Sequence, residues 1–438
     1  MKIKFSSLVN LFLISAVLGS GVGYSHLYLF HVCLLLLVGG AILLYSAGVK
    51  RLFLKPKSIL SNFFLLMIFW YASSLFWSIE PFYTLRYLVY IIFGVAIVYV
   101  IVGRAVSEER YQRIFNVLKW AFLLEIIVAI FESFTPFRLP TSPYSEYAVI
   151  FCRKVTDFGL FDDAVTQAIK SVPTAFHGNP NNLAIVMTAM LPFFLFHHRL
   201  MFKVTGSLSV LIVIVMAGSR GAFIGAVFGM ALYFAITNIK RFLVFCLFGL
   251  VLSSVLIGWL DELKISENRK VAEYAYTADV LIAYLDEEDT SGGSISVRQQ
   301  LLKNGLDALY FTNGLGVGGG GSNAVQERLG GVEGKIVSMH NFWIEVLVDA
   351  GVVFFLLFVL WYLTVCFKLL IIYLRSSSPF YKYHSGALFV SFSAFSVACV
   401  SASSVIYHLP MWIMLGMGLA LINVHLESLP LRKLAHRP

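Results

Sequence analysis

The sequence predicts an all-α, polytopic integral membrane protein with about twelve transmembrane helices and one large extracytoplasmic loop that contains a short amphipathic helix. Three observations carry that prediction. First, 59% of the 438 residues are hydrophobic and only 13% are charged, with a mean hydropathy of +0.82, outside the usual composition of soluble domains. Second, apolar runs long enough to cross a bilayer, roughly 17 to 25 residues each, recur from one end of the chain to the other. Third, the lysines and arginines collect in every second short loop.

Taken in order, the spans fall at about residues 6–22, 26–48, 58–78, 82–103, 112–133, 180–197, 203–217, 221–237, 241–259, 341–373, 384–403 and 406–425. The opening MKIKFSSLVNLFLISAVLGSGVGYS has the basic head, apolar middle and small-residue end of a secretory signal. A second span follows almost at once, so a retained first helix is expected. Lys2 and Lys4 place the N-terminus in the cytoplasm, and Arg432 and Lys433 place the tail there too. By simple alternation, the basic loops Lys50 to Lys57, Arg104 to Arg113, Arg199 to Lys203, Lys240 to Arg241 and Arg375 to Lys382 share that side, as the positive-inside rule requires. The net charge of +9 thus reports topology. It does not form the single concentrated patch that nucleic acid needs, so no nucleic-acid partner is expected. Cys33, Cys246, Cys366 and Cys399 lie in apolar runs and only Cys152 in a polar loop, which is not a disulfide framework.

The chain divides into residues 1–133 with spans one to five, 134–259 with the first outer loop and spans six to nine, 260–339 as the large outer loop, and 340–438 with spans ten to twelve and a cytoplasmic tail. Within the large loop, SISVRQQLLKNGLDALYF sets Val297, Leu301, Leu302, Leu306 and Leu309 at helical spacing, with Ser294 or Ser296 available as N-cap. An amphipathic helix near the membrane surface is expected there.

The polar residues at the outer edge each admit a bland reading beside a functional one. In HGNPNNLAIV, Asn179 suits an N-cap and Pro180 the first helical position. Asn181 and Asn182 are then candidate sugar ligands, or simply part of a helix start at the membrane edge. MAGSRGAFIGAVFG breaks a long apolar stretch with an outer turn, and Arg220 there is either a snorkelling residue or a cation awaiting an anionic partner, which its unusual side favours. Arg298 stands near the start of the loop helix, where free N–H groups also favour an anion; a solvated arginine is the alternative. GLGVGGGGS, from Gly314 through Gly318 to Ser322, formally contains G-x-G-x-x-G. No strand-then-helix unit surrounds it, so a hinge or a backbone nest near phosphate is the better reading.

The acidic run Asp286 to Asp289 lacks calcium-loop spacing, and no cluster has zinc spacing; neither a metal nor a cofactor is expected. Glu125 and Glu132 in the fifth span, and Glu80 and Arg86 near the fourth, pair either with the outer cations or with one another. VSMHNFWIEVLVDAGVV places His340 and Asn341 at the outer start of the tenth span. Asn341, Glu345 and Asp349 fall on one helical stripe. Charges in a membrane helix turn to the protein interior or a wet cavity, so this stripe is expected to line a cleft, against the plainer reading of a histidine capping an interfacial helix.

His340-Asn341, nine residues, then Gly351 resembles the signature H-[NSQ]-x9-G-x-x-[GTY] of the O-antigen ligase and O-antigen polymerase superfamily, with Phe354 departing from its last position. The resemblance extends to Ser219-Arg220-Gly221 in a short outer turn, to Arg298 opening a loop helix, and to the glycine run before the histidine. It spans roughly Asn179 to Phe358. It implies a metal-independent glycosyltransferase in a bacterial cytoplasmic membrane, acting on the extracytoplasmic face on a glycan carried by a polyprenyl (undecaprenyl) diphosphate, for cell-surface polysaccharide. Donor, acceptor (a growing glycan or a lipid core) and membrane lipid are the implied partners. Arg220 and Arg298 would grip the diphosphate, and His340 would serve as general base or as a diphosphate ligand. Asn341, Glu345, Asn181, Asn182 and Gly318 stand as substrate-binding candidates. The rival reading is a transporter or flippase of lipid-linked oligosaccharide, which is expected to show internal repeats and midplane breaks. A non-catalytic envelope partner is a third reading, and it predicts unchanged glycans in His340→Ala and Arg298→Ala.

Overall fold

The structure is a computed structural model that describes residues 4–49, 58–160, 166, 169–266, 271–272, 275, 294–331, 337–402 and 404–435. Every expected span is a helix: α1 (Phe5–Leu18), α2 (Leu29–Ser46), α3 (Ile59–Ser73), α4 (Pro81–Arg104), α5 (Glu108–Phe134), α6 (Pro180–Leu195), α7 (Leu200–Met216), α8 (Arg220–Thr237) and α9 (Ile239–Gly258). Beyond the large loop's helices α10 (Ser294–Phe311) and α11 (Gly321–Arg328) come α12 (Phe342–Arg375), α13 (Pro379–Ala398) and α14 (Leu409–Ala435). Among the described residues nine helices are long and apolar enough to cross a membrane, and α1, α6 and α7 are shorter apolar helices. Between α1 and α2, Gly23–Tyr24 and Leu27–Tyr28 form a small antiparallel ribbon. The basic loop 50–57 and the acidic run 286–289 lie outside the described residues.

Local sequence sets the helix starts. Ser58, Ser107, Asn179 and Asn238 each accept a backbone N–H of the first turn through their side chains, and proline opens α4, α6 and α13, where its missing N–H removes no bond. The C-terminal helices α13 and α14 form the centre of the bundle. Helix α13 packs on α6, α8 and α12, and α14 packs on α4. Helix α9 has no buried residue and touches mainly α8, as expected of a helix surrounded by lipid. Helix α1 packs on α2 and α5 through Val9, Phe12, Leu13, Ala16 and Val17.

Helix α12 is broken at Gly351, whose φ of 80° and ψ of 169° are not helical. The break frees backbone groups that lipid cannot satisfy, and the glycine-rich loop supplies their partners. Val317 N–H donates to Val348 O (2.9 Å), Gly318 N–H to Asp349 O (3.0 Å), and Val352 N–H to Gly314 O (2.9 Å), while Trp70 Nε1 reaches Ala350 O (2.8 Å). A side chain at position 351 would overlap the Leu315 carbonyl in a backbone region that only glycine adopts at little cost. Gly351→Ala is therefore expected to destabilise the protein by more than ~1 kcal/mol, seen as a lower thermal transition in detergent; an unchanged transition would contradict this account. The roughly 24 residues beyond the break rise ~36 Å, enough to span alone, so the break lies toward the loop end of the helix. Phe354 is fully buried and stacks on Phe63 and Trp70, an aromatic clamp just below it.

The segments expected on the outer face all meet at one end of the bundle. Ser25 N–H bonds Phe151 O and Ile79 N–H bonds Val317 O, Thr141 Oγ1 bonds Gly21 O, and Ser219 Oγ pairs with Ser401 Oγ at 3.2 Å. At the opposite end, Lys203 Nζ bonds Tyr233 Oη and Tyr373 Oη bonds Ile236 O. Alternation along the sequence and convergence in space agree.

Candidate functional site

Helix α10 occupies the range read from the sequence, but its buried face differs from the expected one. Val297, Leu301 and Leu309 are buried, whereas Leu302 and Leu306 are exposed. The inner face is completed by Gly305, which sits against Met339 and Val348. Two apolar stripes exist on this helix, and spacing could not say which one meets protein. The buried Gln326 on α11 locks the loop by donating to Leu301 O (3.0 Å) and accepting from Asn304 Nδ2 (2.8 Å). This fixes the segment that carries Arg298 over the start of α12.

Arg220 is the first residue of α8, behind Ser219, and is half-buried. Arg298 keeps an exposed surface, yet desolvation first and the charge of Arg220 second lower its pKa. His340 is half-buried and held at a left-handed φ of 47°. Burial first, and then the Arg298 charge, hold its imidazole below the usual value, against a hydrogen bond to the Ser401 backbone. The two charge effects act only over short range, so Arg298 lies near both Arg220 and His340, and residues from three distant parts of the chain gather at one place. Ser401 joins it through both His340 and Ser219. Sequence reading missed Ser401; the signal available was SASS, a run of small polar residues that alternation sets at the outer end between the last two spans.

The acids behave otherwise than expected. Glu345 and Asp349 are 2% and 1% exposed, so the stripe does not line an open cleft. Tyr87 Oη (3.0 Å) and Ser404 Oγ (2.6 Å) donate to Glu345. Asp349 accepts Gly320 N–H at 2.7 Å and Ser322 N–H at 2.8 Å. The glycine loop is thus an anion nest, but its anion is the chain's own Asp349 carboxylate. Gly318, with φ of 91°, is packed against Ser78, and its N–H is committed to Asp349 O. In this structure Glu345 bonds Tyr87 and Ser404 and the Gly318 N–H bonds the Asp349 carbonyl, because buried polar groups pair with whatever partners the packing supplies.

Asn341 is the N-cap of α12, its Oδ1 accepting Trp343 N–H and Ile344 N–H. Asn181 is half-buried and donates its N–H to Asn179 Oδ1; Asn182 is buried, with an Oδ1 that has no partner. Glu125 hydrogen-bonds His177 Nε2, and the His177 ring lies 5.0 Å from that of His408. Glu132 accepts N–H groups from Thr174 (2.8 Å), Ala175 (2.7 Å) and Leu139 (3.3 Å), which ties down the first outer loop. Neither glutamate forms an ion pair with an arginine of the cluster. Glu80 pairs with Arg328 at 3.5 Å, while Arg86 stacks over the Tyr83 ring. Among the described residues, no three His, Cys, Asp or Glu side chains converge as a metal site.

The arrangement offers two guanidiniums and an imidazole at one end of the bundle, set at or near helix starts, with the imidazole bonded to the Ser401 backbone. It is suited to a multiply charged anion and a proton transfer beside it. Residues 205–359 match the family model described as O-Antigen ligase. No curated protein matches the chain. The matched stretch holds Arg220, Arg298, His340, the glycine loop and the break in α12, and over it this membrane protein is similar to the O-antigen ligase family.

Proposed function

We propose that the chain is a metal-independent glycosyltransferase of the bacterial cytoplasmic membrane, moving a glycan from a polyprenyl diphosphate carrier to an acceptor hydroxyl on the outer face. The observation that carries this reading is the meeting of Arg220, Arg298 and His340. The acceptor oxygen attacks the anomeric carbon, the bond from that carbon to the phosphate oxygen breaks, and its electron pair leaves on the diphosphate. Two guanidiniums beside the leaving group stabilise that growing charge, and their planar forks suit phosphate. The proton of the hydroxyl passes to His340.

That last role has a pH signature. His340 is depressed below its ordinary value by burial and by Arg298, which favours the neutral imidazole that a base requires. The kcat/KM profile is expected to rise with pH through an apparent pKa below about 6.5 and then level off. A profile that falls through that pKa would assign His340 to holding the diphosphate as imidazolium.

A carrier of lipid-linked sugars places broken helices near the bilayer midplane. Here the break in α12 is near the loop end, which favours the enzyme. The test is reconstitution in liposomes with a polyprenyl-diphosphate glycan and a chelator. Glycan transfer in the presence of chelator is the expected result, and activity abolished by chelator would refute the metal-free reaction. A ladder of product lengths identifies a polymerase, and one-step attachment to a lipid core identifies a ligase. For the sidedness, Cys152 is exposed whereas Cys33, Cys366 and Cys399 are buried. A membrane-impermeant maleimide should label Cys152 from outside intact spheroplasts; labelling only after permeabilisation would place the site on the wrong face.

A further inference from the structure

Away from the cluster, an apolar groove of about 380 Å³ lies between α5, α6 and α14, with part of α13. It exists because α5 packs closely on α1 and α7 rather than on α6. Its walls include Phe122, Ile185, Ala189, Met190, Met414 and Met417, and methionines adapt to irregular chains. One end stops at the buried His408; the other opens at the turn after α6, where Lys119, His197, His198 and Arg199 line it. By the alternation of basic loops that end is cytoplasmic.

The mouth carries the chemistry of a membrane interface. Trp120 and Phe202 on its rim are 67% and 45% exposed, at the level where aromatic residues meet headgroups. The Lys119 ammonium lies over the Trp120 ring at 5.2 Å. Burial first, and then the charges of His198, Arg199 and Lys119, lower the His197 pKa, so the basic groups crowd one another. Among the described residues none of the four is in an ion pair with a carboxylate. A groove that is hydrocarbon inside, open to the bilayer and cationic at its mouth fits a ligand with a long apolar chain and an anionic head.

We propose that this groove binds an anionic phospholipid of the inner leaflet, with an acyl chain between α5, α6 and α14 and the phosphate among Lys119, His198 and Arg199. The site is separate from the glycosyl-transfer cluster, and its occupant has the opposite orientation to an outer-leaflet donor. The test uses the full-length protein in nanodiscs containing phosphatidylglycerol and phosphatidylethanolamine, with bound lipid read by native mass spectrometry. The native protein should retain phosphatidylglycerol preferentially. The double variant Lys119→Gln/Arg199→Gln should hold it roughly 30-fold less tightly, taking ~1 kcal/mol for each basic residue at the surface. Phosphatidylglycerol with a photoreactive acyl chain should crosslink to peptides containing Met190 or Met414, and this readout does not depend on any variant folding. Equal retention of the two lipids, an unchanged preference in the double variant, or displacement of the crosslink by polyprenyl phosphate but not by phosphatidylglycerol would each overturn the proposal.

Discussion

Replacing His340 by alanine is expected to lower glycan transfer by about 10² to 10⁴-fold, the range by which a positioned general base accelerates a reaction. The side chain is half-buried and makes its hydrogen bond to the Ser401 backbone, so its loss removes chemistry with little packing. Its left-handed backbone, φ 47°, supplies a control. Asparagine tolerates that conformation better than most residues, so His340→Asn keeps the local fold while removing the imidazole. Both variants should show the same rate loss with thermal transitions close to that of the native protein. Transfer at the native rate by either one would remove His340 from the reaction. Arg298→Lys should recover only part of what Arg298→Gln loses, since a lysine keeps the charge but not the bidentate fork.

Asp349→Ala is expected to be the most damaging single change to the fold. Its two carboxylate oxygens accept the Gly320 and Ser322 N–H groups, both within a buried loop. Each orphaned buried donor costs about 1 to 3 kcal/mol, and the pair together approaches a large share of the roughly 5 to 15 kcal/mol that holds a typical domain folded. The expected result is little folded protein in the membrane, or protease cleavage within residues 314–331 that the native protein resists. Asp349→Asn, which retains one acceptor oxygen, should fall between the two. Native stability and protease resistance in Asp349→Ala would mean that the loop is held by its other bonds to the break in α12.

Several features of the site were legible in the sequence. Asn179 caps its helix, Arg298 sits on a loop helix whose range reads correctly from its pattern, and His340 and Arg220 lie at one end because alternation puts them there. The misreadings were of another kind. Glu345 and Asp349 look like the lining of a cleft because a helical wheel shows which residues share a face but not what that face meets. The glycine run looks like a phosphate nest because the anion that fills it belongs to a residue 29 positions away.

What the sequence by itself determined is the order of the helices and which of the loops between them gather at one end of the bundle. These follow from transfer free energies summed over a window of about 20 residues and from charges beside it, quantities that are local to the chain. Only the tertiary structure decided which acids serve the fold. Glu132 is claimed by amides 42 and 43 positions on, Glu125 by His177, and the break at Gly351 by Trp70 from 280 positions before its partner carbonyl. A buried polar group takes whatever donor the packing brings within hydrogen-bond reach, and that choice depends on how the helices assemble.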